Sequence, residues 1–327
     1  MDIMPNLSNQ GDIPVIDISA IRTDDARERD QLASEIWEAS RNVGFFSIVD
    51  HGIPGDLTHE VFSQIRAFFD LPAQSKISIS NKKSRNMRGY FGIGEESPED
   101  TMAGDLKEGF DLSVDLLADD PDFVRGSTLY GPNQWPPDMP VFKQVMTTYH
   151  TQMTALSIAL LGLFARALGK PESYFAPLLR KPLAQLRLLR YPPHDTTSLC
   201  SPIGCGEHTD YGAIALLAQD APGLEVQDKR GRWIEVGVVP GAFVVNIGDL
   251  MARWTNDRLQ ANVHRVVNRR ADSRHAAAFF LDPDYDALIE CIDSCVPTGQ
   301  QPIHEPIVFG CYNEAKLNAT FEFRKQS

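Results

Sequence analysis

From Lys181 onward the chain breaks into short β-prone runs separated by turn clusters, and this texture limits the fold more than any other feature. The runs are 186–191, 213–218, 224–227, 233–238, 242–247, 261–268 and 275–281. Between them stand clusters such as Pro192-Pro193, Pro240-Gly241, Asn256-Asp257 and Asp272-Ser273. Strands this short, with turns this frequent, predict a sandwich or a barrel. The residues ahead of them show helical spacing instead. Leu32, Ile36 and Val43 mark one helix that starts near Asp24 and Asp25, and Leu57, Val61, Ile65 and Phe68 mark a second. A third and longer one runs over 141–168 and is closed by Gly169 and Pro171. Segments 13–18 and 45–49 read as two early strands. The expected fold is α+β: a double-sheet jelly roll flanked by N-terminal helices.

Three stretches follow from this reading. Residues 1–180 form a helical and irregular N-terminal region, 181–312 the jelly-roll core, and 313–327 a C-terminal segment. Residues 80–137 are rich in Gly, Pro, Asn and Asp and read as irregular, as loops that cover a site often are.

The 327 residues include 31 basic and 44 acidic ones, a net charge of −13. That balance argues against nucleic acid and against an anionic membrane surface as partners. A small acidic substrate stays compatible, because a pocket can be basic inside an acidic surface. The five cysteines form no CxxC pair and read as free thiols in a reducing cytosol. A zinc site on Cys291, Cys295 and Cys311 is the alternative. The first twenty residues lack a signal-peptide pattern, and the longest apolar stretch, 155–168, is too short for a bilayer. The expected protein is soluble, cytoplasmic and partnered by a small molecule, with its oligomeric state open.

The chemistry-bearing segment is Gly206-Glu207-His208-Thr209-Asp210-Tyr211-Gly212. On an extended strand, His208 and Asp210 would point to one face. A third ligand is available in His264, on a later strand candidate. Two histidines and a carboxylate leave open positions on an octahedral metal, the pattern of non-haem Fe(II) oxygenases. From the residues alone, a hydrogen-bonded His-x-Asp pair with no metal is the other reading. Arg274 stands ten residues past His264. It is either a bidentate clamp for a carboxylate at the mouth of the barrel or a surface arginine of the 269–272 turn.

These motifs resemble those of the Fe(II)/2-oxoglutarate-dependent dioxygenases of the isopenicillin N synthase-like family. The likeness rests on His208-Thr209-Asp210, on His264 in a His-Arg-Val-Val context, and on Arg274. It extends to Ile13-Pro14-Val15-Ile16-Asp17, Asp50-His51-Gly52-Ile53, Arg88-Gly89-Tyr90, Lys107-Glu108-Gly109-Phe110-Asp111 and Asn246-Ile247-Gly248-Asp249, covering roughly residues 12 to 312 in order. The resemblance implies a double-stranded β-helix core and an Fe(II) ion on His208, Asp210 and His264. It also implies 2-oxoglutarate as co-substrate on Arg274, O2 as oxidant, and no catalytic residue beyond the metal ligands. The implied reaction couples oxidative decarboxylation of 2-oxoglutarate to hydroxylation, desaturation or cyclisation of a small molecule.

Two departures from the family pattern stand out. Arg274-His275-Ala276 lacks the family's serine, whose hydroxyl helps to hold the far carboxylate of 2-oxoglutarate; Tyr191 is a candidate replacement donor. Leu189-Arg190 replaces the Asn-Tyr of many plant members. Two alternatives therefore stay open: an iron oxidase that does not use 2-oxoglutarate, and a non-catalytic iron or small-molecule binding protein. For the substrate, Gly89 would permit a turn that aims Arg88 inward, and Arg190 stands beside Tyr191. Two arginines near the metal point to a carboxylate-bearing substrate; the alternative pairs Arg88 with Glu95 or Glu96 on the surface. Phe321 and Phe323 either cover the pocket or pack ordinarily.

Overall fold

The computed structural model describes residues 13–96, 105–194 and 203–320. Helix α1 (Ala26–Asn42) starts on Asp25, whose carboxylate accepts from the Arg27 N–H. Gly44, at φ +74°, ends it and turns the chain into strand β2. Helices α2 (Gly55–Phe69) and α3 (Ala73–Ser78) follow, then the short α4 (Pro121–Val124) and the long α5 (Pro140–Ala167). Helices α6 (Asp249–Trp254) and α7 (Phe309–Thr320) come later.

The strands are β1 (Val15–Asp17), β2 (Phe45–Val49), β3 (Gly89–Phe91), β4 (Glu108–Ser113), β5 (Leu183–Tyr191) and β6 (Ile203–His208). They continue as β7 (Ile214–Gln219), β8 (Leu224–Gln227), β9 (Trp233–Glu235), β10 (Phe243–Ile247), β11 (His264–Val267) and β12 (Arg274–Asp282). Among the described residues, an eight-stranded sheet has the order β1-β2-β10-β7-β12-β5-β4-β3, and a four-stranded sheet the order β6-β11-β8-β9. This is the expected double-stranded β-helix with flanking helices. Strands β1 to β4, from the N-terminal half, are hydrogen-bonded into the same sheet as the strands after residue 181.

Alternation along the strands sorts the side chains into two cores. On β12, Ala277, Phe279 and Leu281 face α2 and α5, together with Leu186 and Leu188 of β5. Phe68 of α2 and Phe142 of α5 stack there at 5.2 Å. Each fully buried Leu or Phe contributes about 1.5–3 kcal/mol. Ala276, Leu189 and Tyr191 face the other way, with Cys205 and Val266 of the smaller sheet.

The 80–137 region is less irregular than its composition predicts, because it holds β3 and β4. β4 is buried along its whole length, although it carries Glu108, Asp111 and Ser113. Its charges are paired: Glu108 accepts from Lys76 at 2.8 Å and Asp111 from Arg187 at 2.8 Å. Its apolar alternation is only two residues long, Phe110 and Leu112, too short a pattern to stand out among the Gly, Pro and charged residues around it.

Candidate active site

His208 ends β6 and His264 begins β11, and the two are directly opposed in an antiparallel pair. Their rings lie 4.2 Å apart. Asp210 lies two residues past the end of β6, so the expectation that His208 and Asp210 share one strand is corrected: only His208 is on the strand, and the carboxylate comes from the irregular segment that follows it. Its Oδ1 lies 3.9 Å from His208 Nε2 and 3.8 Å from His264 Nε2. The three ligand atoms fall within 4.8 Å of one another, and they form a group suited to a metal among the described residues. The alternative zinc set is corrected: Cys291, Cys295 and Cys311 form no such group, and Cys291 Sγ instead donates to the Arg253 carbonyl at 3.1 Å.

Hydrogen bonds prepare each ligand. His208 Nδ1 lies 2.8 Å from the Gly206 carbonyl, and His264 Nδ1 lies 3.1 Å from the Asn262 carbonyl. A carbonyl only accepts, so each Nδ1 carries the proton and each Nε2 keeps its lone pair for a metal. Burial pushes the His264 imidazole down to about 4; the neighbouring His208 adds to this and Asp210 opposes it. A neutral imidazole is the form that binds metal. Asn246 Nδ2 donates to Asp210 Oδ2 at 2.6 Å, leaving Oδ1 toward the histidines.

The segment after His208 is fastened from both sides. The backbone N–H groups of Asp249 and Leu250, at the start of α6, donate to the Asp210 and Gly212 carbonyls at 2.8 and 3.1 Å. Asp282 Oδ1 accepts from the Ala213 N–H at 2.8 Å. Burial, with Asp210 adding its charge, pushes the Asp282 carboxyl up to about 7 against that hydrogen bond. The N-terminal region also reaches the third ligand. Asn262 Nδ2 donates to the Val43 carbonyl at the end of α1, and the Phe45 ring meets His264 edge-on at 5.2 Å.

A cavity of about 250 Å³ runs from these ligands, lined from both sheets. Arg274 lies in its wall at 0 % exposure, opposite Tyr191 in the β12–β5 register. Its Nε donates to the Ala221 carbonyl at 3.1 Å and its Nη2 to Gln219 Oε1 at 2.8 Å. Nη1 is buried and without a partner among the described residues. The Tyr191 ring centre is 5.0 Å from the guanidinium carbon. Burial, with Cys205 adding, pushes the Tyr191 phenol up to about 12 against Arg274, so it remains an O–H donor.

Arg88 also lines the cavity. Gly89, at φ +109°, opens β3, and a Cβ there would sit 2.2 Å from the Ile79 carbonyl. The surface pairings considered for Arg88 are taken by others: Glu95 by Lys82, and Glu96 by Arg187 and Lys107. Arg190 is corrected. It does not line the cavity; it pairs with Glu108 and with Asp70 at 3.3 Å and stacks on Phe69 at 5.6 Å. Neighbours on a strand face opposite ways, so Tyr191 inward puts Arg190 outward. Phe321 and Phe323 lie outside the described residues; Asn313 and Leu317 of α7 line the cavity.

Other site residues escaped the sequence reading. Gln185, Arg187 and Leu189 share the inward face of β5 with Tyr191, and counting by twos from Tyr191 would have found them. Lys107 is buried, with its Nζ 2.6 Å from Asp105, 3.0 Å from Glu96 and 3.2 Å from Cys205 Sγ. Asp105 in turn accepts from the Gly206 N–H at 2.9 Å, which ties this cluster to the strand that carries His208. His51 caps its own turn, its Nδ1 accepting from the Ile53 N–H at 3.1 Å.

Residues 182–283 match the 2OG-Fe(II) oxygenase superfamily, and residues 13–138 match the N-terminal domain described as "non-haem dioxygenase in morphine synthesis". A 2-oxoglutarate-Fe(II) type oxidoreductase of Emericella nidulans is 35% identical over 314 residues, 92% of this chain and 90% of that protein. The chain belongs to the 2-oxoglutarate/Fe(II) oxygenase family. A homoarginine-6-hydroxylase of Arabidopsis thaliana is 33% identical, over 94% of this chain and 97% of that one. The crystal structure of a full-length Neurospora crassa protein in complex with alpha-KG superposes with a TM-score of 0.84 at 30% identity, covering 94% of this chain and 96% of that one. The protein is thus an oxygenase that uses Fe(II), 2-oxoglutarate and O2 on a small molecule. The 2-oxoglutarate-independent oxidase and the non-catalytic binder are not favoured.

The cavity fits these groups. Three convergent atoms of the His/His/Asp type suit Fe(II). A buried guanidinium with one unpartnered nitrogen suits a carboxylate.

Proposed function

We propose that His208, Asp210 and His264 hold the iron, and that Arg274 and Tyr191 hold the far carboxylate of 2-oxoglutarate. The convergence of two Nε2 atoms and one carboxylate oxygen, each fixed by a hydrogen bond behind it, carries this reading. When bound, iron and 2-oxoglutarate supply the oxidation: O2 is consumed, 2-oxoglutarate leaves as succinate and CO2, and the second oxygen atom oxidises a substrate C–H bond. The chain itself does the binding and placing. Asn246 keeps Asp210 turned so that one oxygen faces the histidines. Arg274, already held by Gln219 and Ala221, offers Nη1 to the carboxylate without rearranging. The Tyr191 hydroxyl supplies the donor that Ala276 lacks. The apolar walls formed by Leu189, Leu217 and Leu224 keep bulk water from the reacting groups.

The substrate is a small molecule sized to the remaining cavity. The Neurospora crassa protein, which shares this fold, has also been crystallised with alpha-KG and thymine. Free thiols at Cys205, Cys291, Cys295 and Cys311 suit the reducing conditions of a cytoplasmic enzyme.

The test is anaerobic addition of Fe(II) and then 2-oxoglutarate to the purified chain. A weak visible band from the chelate is expected, with loss of both band and iron in His264→Ala. Arg274→Ala should keep the iron but need far more 2-oxoglutarate to form the band. Stoichiometric iron in His264→Ala would refute the ligand assignment.

A further inference from the structure

The strongest unexplained group in the molecule is Arg88. It is 5 % exposed and lies in the cavity wall. Its Nη2 donates to the Leu129 carbonyl at 2.6 Å, and its Nε is buried with no partner among the described residues. No described carboxylate stands within ion-pair distance of it. The two aspartates that bias it are committed elsewhere: Asp111 to Arg187, and Asp115 to Trp135 Nε1 at 3.0 Å and the Asn133 N–H at 2.8 Å. Burial lowers the guanidinium to about 10 against the pull of Asp111 and Asp115, which leaves it charged at neutral pH. An unpaired buried cation is costly, and the fold surrenders other conformations at Gly89 to place it there.

Arg88 and Arg274 reach the cavity from backbone positions well apart along the sheet. Gly89 pairs with Asp111, and Asp111 with Arg187, so the Arg88 backbone stands level with Leu186. Tyr191, level with Arg274, is five residues further along β5. At roughly 3.3 Å per residue the two backbone positions are about 16 Å apart along the strand direction. The strand register sets Arg88 level with a mixed stretch of the cavity wall: Leu183 and Phe280, Ser113 and the Gln185 amide, Arg187 already paired with Asp111, and Asp282 already accepting from the Ala213 N–H; Leu129 and the Asn313 amide line the cavity too. Neither amide makes a side-chain hydrogen bond to the described residues.

We propose that this end of the cavity binds a substrate bearing a carboxylate, which Arg88 receives while the Gln185 and Asn313 amides orient the rest. The proposal rests on the iron and 2-oxoglutarate assignment only in calling the ligand the substrate; anion binding at Arg88 stands apart from it.

The experiment is anaerobic isothermal titration of the full chain, with Fe(II) and 2-oxoglutarate present, against acid and amide pairs. Benzoate with benzamide, and phenylacetate with phenylacetamide, are suitable probes. Each acid should bind at least about tenfold more tightly than its amide. Arg88→Gln should shrink that preference below about twofold, with the 2-oxoglutarate chelate band unchanged, and Arg88→Lys should keep part of it. Amides that bind as well as acids, or an acid preference that survives in Arg88→Gln, would overturn the proposal. So would loss of the chelate band in Arg88→Gln, which would give Arg88 to the co-substrate. Should Arg88→Gln fail to fold, the wild-type pairs and Arg88→Lys decide alone. A missing band in the wild type, with the acid preference intact, would sink the co-substrate reading and leave this one standing.

Discussion

Asn246 donates one short hydrogen bond, 2.6 Å, to the oxygen of Asp210 that faces away from the two histidines. On the proposed ligand set, that bond leaves Oδ1 as the oxygen toward the metal. Partners behind metal ligands typically contribute 10–100-fold to affinity. Asn246→Leu should therefore weaken Fe(II) binding about 10–100-fold in a chelator competition while the protein stays folded. An unchanged affinity would mean that α6 and Asp282 alone hold the carboxylate in place.

The Tyr191 hydroxyl is the second determinant open to a single-atom change. Tyr191→Phe removes one hydrogen bond worth roughly 0.5–1.5 kcal/mol, so KM for 2-oxoglutarate should rise about two- to tenfold. Iron content should not move. Ala276 sits two residues after Arg274 on the same face of β12, so Ala276→Ser in the Tyr191→Phe background should recover part of the loss. Steady-state succinate release reads both effects.

Lys107 neutralises Glu96 and Asp105 in a buried cluster that borders the cavity. Lys107→Met leaves the buried Asp105 carboxylate without its cation and Glu96 with Arg187 alone, and should cost about 3–5 kcal/mol in denaturant unfolding. Burial works against ionisation of Glu96, but Arg187 and Lys107 hold its carboxyl below the usual range. A carboxyl with a lowered folded pKa stabilises at pH above its unfolded value, about 4.3, and that contribution is lost as pH falls through the folded value. Removing Lys107 raises the folded value, so the acid limb of a stability–pH curve should move to higher pH.

Gly89→Ala should act on Arg88 through the backbone. The positive φ alone costs about 1–3 kcal/mol for a residue with a side chain, and the Ile79 carbonyl blocks the Cβ. Stability should fall by at least that much, with KM for the substrate rising more than KM for 2-oxoglutarate.

Much of this architecture is legible in residue order. The spacing of Leu32 with Ile36 and of Ile65 with Phe68 marks the helices, and the turn clusters after residue 190 mark most strands of the roll. The metal set is legible because His208, Asp210 and His264 are the residue types iron prefers. Three features are not legible, each for a physical reason. β4 hides because only Phe110 and Leu112 mark its core face, while paired charges at Glu108 and Asp111 break the apolar run. Asn246 hides because an orienting amide looks like any strand-end asparagine until its partner is placed. Arg190 and Arg187 trade roles because composition cannot say which face of β5 turns inward; only the two-residue period, anchored on Tyr191, can.

Arg274 is wholly buried, whereas the His208 side chain is 33% exposed, and both border the same cavity. Depth then becomes sequence in time. On the proposed assignment of 2-oxoglutarate to Arg274, that ligand has to pass the exposed His208 side before a second molecule occupies it, so an order with 2-oxoglutarate first and succinate last is expected. A substrate present in excess would settle early on the outer half and bar the way. Inhibition at high substrate, relieved by raising 2-oxoglutarate, is the kinetic trace that such an order would leave.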